Sequence, residues 1–333
     1  MKSPVQLPRK RFFLVLLGII GAASTIFRFN SIKTAEKVAL RRADGVPNYP
    51  STSPDPDTKL KRPAIVTMKR PIMHTFYEPD PKGYCCGMLE SGHQRLLHAW
   101  EQAWQDRGWD TRVLTREDAT KHEEFDLVQE KLRVLQIGAY DQKCYWRWLA
   151  MASIDDVDDG STGGGGWMSD YDTLPLDFGA EEGRQLAMEH HGQFTSYKDH
   201  VPCLIHASRG EWNRVIHLIM DVLPKHVDAN ASDMVSLQKV RYTFGDESGI
   251  VWRQLVVPTF AYKKMENGGI VVDCERCKGM KAVHLSHHGT MAAWKAGLYP
   301  DIDKKLGIIN GRGEAANVFM KDYREQCIAV NNS

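Results

Sequence analysis

The chain lacks any imbalance of charge: its 333 residues carry 43 Lys and Arg against 42 Asp and Glu, a formal net charge of +1. No basic block is interleaved with aromatics, so nucleic acid finds no electrostatic footprint here. A Gly-Lys-Ser/Thr phosphate loop is also missing, which argues against a nucleotidyl- or phosphotransferase built on one. No internal repeat is evident. Cys274-Glu-Arg-Cys277 has no second cysteine pair at zinc-finger distance, so a local disulfide or two free thiols is its reading, ahead of zinc.

One long apolar run stands out, over residues 12–27, and it follows Arg9, Lys10 and Arg11. A positive flank before an apolar segment places the N-terminus in the cytosol. The run falls short of the roughly 20 residues of a typical span, but thin early-secretory bilayers tolerate that. A cleaved signal peptide is the rival, with Ala22, Ala23 and Ser24 near the end of the run. Apolar character through Ile26 and Phe27 favours an uncleaved anchor. The expected layout is a cytosolic tail (1–11), a transmembrane signal anchor (12–29), a stem rich in proline and small polar residues (30–62), and a lumenal domain (63–330). Asn230-Ala231-Ser232 and Asn331-Asn332-Ser333 match the glycosylation pattern, Asn230 being the candidate within the domain. The 7 cysteines fit an oxidising compartment, with one left over, and Cys85 and Cys86 are expected to bond elsewhere than to each other.

The most informative stretch is residues 163–176, Gly-Gly-Gly-Gly-Trp-Met-Ser-Asp-Tyr-Asp-Thr-Leu-Pro-Leu. Residues i and i+2 of a strand point to one side, so at a strand end Asp170 and Asp172 can face one point. A hard cation such as Mn²⁺ or Mg²⁺ takes one or two carboxylates and completes its shell with water and phosphates. Asp-x-Asp alone is often only a solvated turn. Here glycines precede it, Trp167 and Met168 lead in, and Pro175 is expected to stop the strand.

Taken in order, residues 64–68 and 72–77 are β-prone, and residues 93–107 carry Leu96, Leu97, Trp100, Ala103 and Trp104 at helical spacing before Gly108. A strand at 111–115 and a charged helix over 118–132 follow. Strand, helix, strand implies a crossover unit and an α/β fold with a mainly parallel central sheet. A buried helix over 141–151 places Arg147 inside an apolar run. Such an arginine is usually paired, with Asp170, Asp172 or a bound phosphate, unless its stem snorkels to the surface. The acidic residues 155–159 read as a solvated loop. Beyond the centre come a strand at 202–208, a helix at 211–223 ended by Pro224, a cap at Ser232-Asp233, and a β-prone run at 252–257. His284, His287 and His288 then cluster ahead of Gly289 and Trp294, and neutral imidazole suits Mn²⁺.

The aromatic, arginine-bearing helix, the glycine run and Trp-Met-Ser-Asp-Tyr-Asp resemble the glycosyltransferases with a DXD sugar-binding region, the yeast-type α-1,6-mannosyltransferases and the α-1,4-galactosyltransferases. Asp141, Arg147, Gly165, Gly166, Asp170, Asp172, His284 and Trp294 fill that family's places. Residues 72–77, ending in Tyr77, resemble its opening strand. The spacing from Asp141 to Arg147 is wider than in the family, and an acidic insertion precedes the glycines. The resemblance implies a single GT-A-like nucleotide-sugar-transferase domain. It implies Mn²⁺ (or Mg²⁺) held by Asp170, Asp172 and His284, with Tyr77, Asp141, Arg147, Gly165, Gly166, Asp170 and Trp294 at the substrate. The expected activity is metal-dependent transfer of a hexose, such as mannose or galactose, from a nucleotide-sugar donor to a glycan, glycoprotein or glycolipid, with retention. The location it suggests is the Golgi membrane. A membrane-tethered lectin-like or scaffold protein without turnover is the competing class, and no catalytic base is named.

Overall fold

The β-prone run after Pro71 forms β1 (Ile72–Phe76), whose central residues Met73, His74 and Thr75 are buried. The computed structural model describes residues 69–79, 87–155, 164–227 and 231–329. All of these belong to the unit Ile65–Ser333; the unit Met1–Ala64, with the expected anchor and stem, lies outside the described residues. Asn230, Cys85, Cys86 and the strand expected at 64–68 lie outside them too. Among the described residues no helix is long and apolar enough to cross a membrane.

The helix α1 (Glu90–Gln105) buries Leu96, Leu97, Trp100, Ala103 and Trp104, the stripe that the spacing announces. The chain then returns as β2 (Asp110–Leu114), parallel to β1 along its whole length. This is the expected crossover unit. The single helix expected over 118–132 is two, α2 (Arg116–Ala119) and α3 (Phe125–Val134). Side chains compete with the helical ladder there. Asp118 accepts the Thr115 N–H at 3.0 Å and so caps the start of α2, while in the gap between the helices His122 Nδ1 accepts the Glu124 N–H at 3.1 Å. The buried helix is α4 (Ala139–Ala152).

The order continues through β3 (Gly165–Ser169), β4 (Thr173–Pro175), α5 (Ala180–Glu189), β5 (Thr195–His200), β6 (Leu204–Ser208), α6 (Arg209–Val222) and α7 (Asp233–Phe244). Then come β7 (Val251–Trp252), β8 (Val256–Val257), β9 (Tyr262–Lys264), β10 (Ile270–Val272), α8 (Cys274–Cys277), β11 (Ala282–His284), α9 (His287–Lys295) and α10 (Arg312–Tyr323). The β-prone run at 252–257 divides between two sheets. Its middle turns over β5, with the Arg253 and Leu255 N–H groups donating to Ser196 and Tyr197 carbonyls at 2.8 Å.

The main sheet has six strands in the order β2-β1-β3-β6-β5-β7. Only β6 runs against the others, pairing antiparallel with β3 and β5, so the sheet is mixed and mostly parallel. A three-stranded sheet, β4-β11-β8, and the β9–β10 hairpin complete the β structure. The central strand β3 is buried on both faces, as strands covered by helices are. Trp167 packs with Trp109, Phe178 and Tyr197, while Met168 joins the opposite cluster with Ile205, Trp148 and Trp212.

The glycine run serves this packing. Gly165 has φ +89°, and a Cβ on it would lie 2.6 Å from the Ala207 carbonyl oxygen. The strand leading to the carboxylates ends earlier than expected, at Ser169, and Pro175 closes a separate strand, β4, which lies at the edge of its sheet, where proline is tolerated. At the other end of the chain, Cys274 bonds Cys327 across 53 residues, with Cα atoms 5.4 Å apart. The reading of Cys274 and Cys277 as a local disulfide or two thiols is therefore corrected: α8 holds Cys274 beside the segment after α10, and Cys277 is a buried free thiol.

Candidate metal centre

The connection from β1 leads to β2 on one side, and the chain then reappears as β3 on the other. Ligands of open α/β sheets sit outside the carboxyl ends of strands at such a reversal. Tyr77 directly follows β1 and Asp170 directly follows β3.

The two carboxylates converge through a turn rather than through strand alternation. Asp170 N–H donates to the Cys203 carbonyl at 3.0 Å, and the Thr173 N–H folds back to the Asp170 carbonyl at 2.8 Å. His284 arrives on β11, opposite Thr173 in the antiparallel pairing with β4. The adjacent Leu285 N–H donates to the Asp172 carbonyl at 2.7 Å. Ligand atoms of Asp170, Asp172 and His284 thus lie within 4.8 Å of one another.

Two arginines set how the carboxylates face. Arg147 Nη1 donates to Asp170 Oδ1 at 2.5 Å, and Arg312 Nη2 donates to Asp172 Oδ2 and to the Leu285 carbonyl, both at 2.5 Å. The other oxygens turn toward His284 Nε2, Asp172 Oδ1 at 3.2 Å and Asp170 Oδ2 at 3.9 Å. Asp172 Oδ1 is buried and meets His284 Nε2 without a well-aligned hydrogen bond, which leaves it open to a better partner such as a cation. Carboxylate, carboxylate and imidazole are a donor set that Mn²⁺ accepts. These residues fit a cation of that kind.

The charges are pushed apart. Burial raises the Asp170 carboxyl, Arg147 pulls it back, and the neighbouring Asp172 charge leaves the balance raised. Burial would raise Asp172 as well, but His284 and Arg312 hold it well below the usual carboxylate range. One carboxylate is firmly ionised beside another that resists ionisation.

Arg147 has a second partner that the sequence did not announce. Its Nε and Nη2 donate to Asp233 Oδ2 at 2.9 and 2.5 Å, and Trp148 Nε1 donates to the same oxygen at 2.8 Å. Ser232 caps α7 by accepting the Val235 N–H at 3.3 Å, which leaves Asp233 turned inward and 2 % exposed. An arginine in an apolar helix was the clue to a buried acid, though not to which one. On the same face of α4, Asp141 and Cys144 precede Arg147 at three-residue steps. Burial and the Asp233 charge push the Asp141 carboxyl up.

Tyr77 closes one side. Its hydroxyl donates to Glu90 Oε2 at 2.6 Å, and its ring lies 5.6 Å from those of Tyr171 and His93. Tyr171, between the two aspartates, meets His93 Nδ1 through its hydroxyl at 2.8 Å. Other expected residues are placed elsewhere. Gly165 and Gly166 pair with Ser208 and Ala207 at the far end of β3, five residues or about 16 Å from Asp170. There Gly165 lets the β6 backbone approach closely. Trp294 is 48 % exposed in the last turn of α9. Of the three late histidines, His284 is the one grouped with the carboxylates.

Lys198, Arg312, Asp233, Cys203, His93 and Tyr171 escaped the sequence reading. Lys198 Nζ lies 2.6 Å from His284 Nδ1, in contact across 86 positions of chain, and Arg312 reaches Asp172 across 140. No local pattern carries such pairings. The one available hint was a lysine inside β5, directly after Thr195, Ser196 and Tyr197.

No curated protein and no solved structure matches the chain. A family model described as Domain of unknown function (DUF8765) matches residues 57–287, well over half of the chain and every element from β1 to β11. Arg312 lies beyond the match. The chain therefore belongs to the family of that domain of unknown function, DUF8765.

Proposed function

We propose that this protein is a metal-dependent glycosyltransferase with a GT-A-like fold. It moves a hexose such as mannose or galactose from a nucleotide-sugar donor to a glycan, glycoprotein or glycolipid acceptor, with retention of configuration. The observation that carries this reading is the convergence of Asp170, Asp172 and His284 outside the carboxyl end of β3, where the strand order reverses. The mostly parallel sheet with one reversed strand agrees with the fold. A Mn²⁺ or Mg²⁺ ion held by Asp170, Asp172 and His284 would offset the charge on a departing nucleotide diphosphate.

The chain's own residues do the rest. Arg147 and Arg312 each occupy one carboxylate oxygen and so turn the second one inward. That preorganisation lowers the cost of gathering like charges. Tyr77, His93 and Tyr171 form an aromatic wall beside the pair. The Tyr77 hydroxyl is engaged by Glu90 and the Tyr171 hydroxyl by His93, which fixes the rings in place. The apolar run at 12–27 and the Cys274–Cys327 disulfide support a lumenal domain on a single-pass type II Golgi anchor.

The test uses the purified full chain with Mn²⁺ and a panel of UDP- and GDP-sugars, following free nucleotide. Metal-dependent release from one donor, lost in Asp170→Ala with Asp172→Ala, is the expected result. Absence of release from every donor, with acceptor glycans added and folding verified, would move the assignment to a glycan-binding protein without turnover.

A further inference from the structure

The guanidinium of Arg147 is a planar fork of N–H groups, and such a fork commonly grips a carboxylate by both oxygens at once. Its contact with Asp170 is narrower than that. Nη1 alone donates, to Asp170 Oδ1 at 2.5 Å, and Oδ2 stays turned toward His284 Nε2 at 3.9 Å. The Nε–Nη2 edge is engaged elsewhere: both groups donate to Asp233 Oδ2, at 2.9 and 2.5 Å.

Asp233 is the better anchored of the two acids. It is buried, whereas the Asp170 side chain is 26 % exposed. It lies in the first turn of α7, where the helix N-terminus favours a negative charge. Trp148 Nε1 donates to the same Oδ2 at 2.8 Å, and its indole packs against Phe194 and Trp212, with ring centroids 5.7 and 5.4 Å away. The arginine therefore reaches the metal centre with one edge already occupied.

We propose that Asp233 is a positioning residue: by occupying the Nε–Nη2 edge of Arg147 it limits the arginine to one oxygen of Asp170 and keeps the other open to a cation. The proposal rests on the metal reading of Asp170, Asp172 and His284. Without Asp233, the guanidinium turns onto both oxygens of Asp170 and competes with the cation there. Removing the arginine as well removes the competitor. The second substitution thus restores what the first takes away, which a merely structural role for Asp233 would not produce. The doubly substituted protein also avoids a lone buried charge, since apolar residues replace both members of the pair.

The experiment is Mn²⁺ titration by calorimetry of the full chain as wild type, Asp233→Leu, Asp233→Leu with Arg147→Met, and Asp172→Asn. Circular dichroism verifies that each is folded. Asp233→Leu should bind about tenfold more weakly than wild type, the lower end of what partners of metal ligands cost. Adding Arg147→Met should return most of that loss. A crystal structure of cation-free Asp233→Leu should show Arg147 on both oxygens of Asp170. Should Asp233→Leu not fold, Asp233→Asn takes its place in both comparisons, with a smaller loss because its amide oxygen still accepts from Arg147. Undiminished binding by the Asp233 variant, or a double variant no tighter than the single one, overturns the proposal. If Asp172→Asn abolishes binding in either of those cases, the metal reading stands and the role of Asp233 alone falls. If wild type does not bind Mn²⁺, both fall.

Discussion

The two ends of β3 look like one motif in the sequence and behave as two different structures. At the start, Gly164, Gly165 and Gly166 all take positive φ and let backbone approach backbone. At the finish, Asp170 and Asp172 gather charge from α4, α10, β11 and each other. The first end is fixed by space and the second by electrostatics. Adjacency in sequence does not make a shared role: at about 3.3 Å per residue a five-residue strand sets its two ends roughly 13 Å apart.

The comparison breaks most sharply at Arg147. Replacing it by methionine leaves Asp233 buried with its main counter-charge gone, and such losses cost about 3–5 kcal/mol. Urea unfolding should show that drop; a change under 1 kcal/mol would mean that Trp148 alone satisfies Asp233. Gly165→Ala should come next, at about 3 kcal/mol, from left-handed strain together with overpacking against Ala207 and Arg209. Mn²⁺ affinity of its folded fraction should stay as in wild type, because the substitution lies at the packing end. Asp172→Asn should do the reverse. Its unfolding free energy should fall by less than that of Arg147→Met, since the amide keeps the shape of the carboxylate and its oxygen can still accept from the buried Arg312. Mn²⁺ affinity should fall by more than the roughly 10–100-fold that altered ligand partners cost.

The smallest effect is in the pH profile. Asp172 is held below the usual carboxylate range in the folded state. A lowered folded pKa contributes stability that is present above the unfolded value and is lost as pH falls through the folded one. Wild type should therefore lose stability relative to Asp172→Asn below about pH 4. Thermal midpoints of the two proteins from pH 7 to pH 3 measure this, and parallel curves would show that His284 and Arg312 do not hold the charge.

Elements whose burial follows a local period were legible. Leu96, Trp100 and Trp104 announced α1, and the Thr111–Leu114 run announced β2. Arg147 announced a buried acid. Asp170 and Asp172 were legible from their spacing and the glycines before them, whereas His284 was one of three candidate histidines, set apart only by the family resemblance until the fold grouped it with the carboxylates. What failed to show depends on contacts made far along the chain or on side chains that interrupt a ladder. His122 sits where a helix that periodicity joins is divided in two. Arg312 and Lys198 lie where no spacing rule leads. The Cys274–Cys327 bond could not be deduced from cysteine positions, since pairing is set by the fold.

That bond has a consequence for a cut chain. Lys304 and Lys305 lie exposed on the segment between α9 and α10, inside the loop that the disulfide closes. A trypsin nick there severs the peptide link to the helix bearing Arg312, yet Cys327 still ties that helix covalently to Cys274. The nicked protein should migrate as one species until a reductant is added, and then as two.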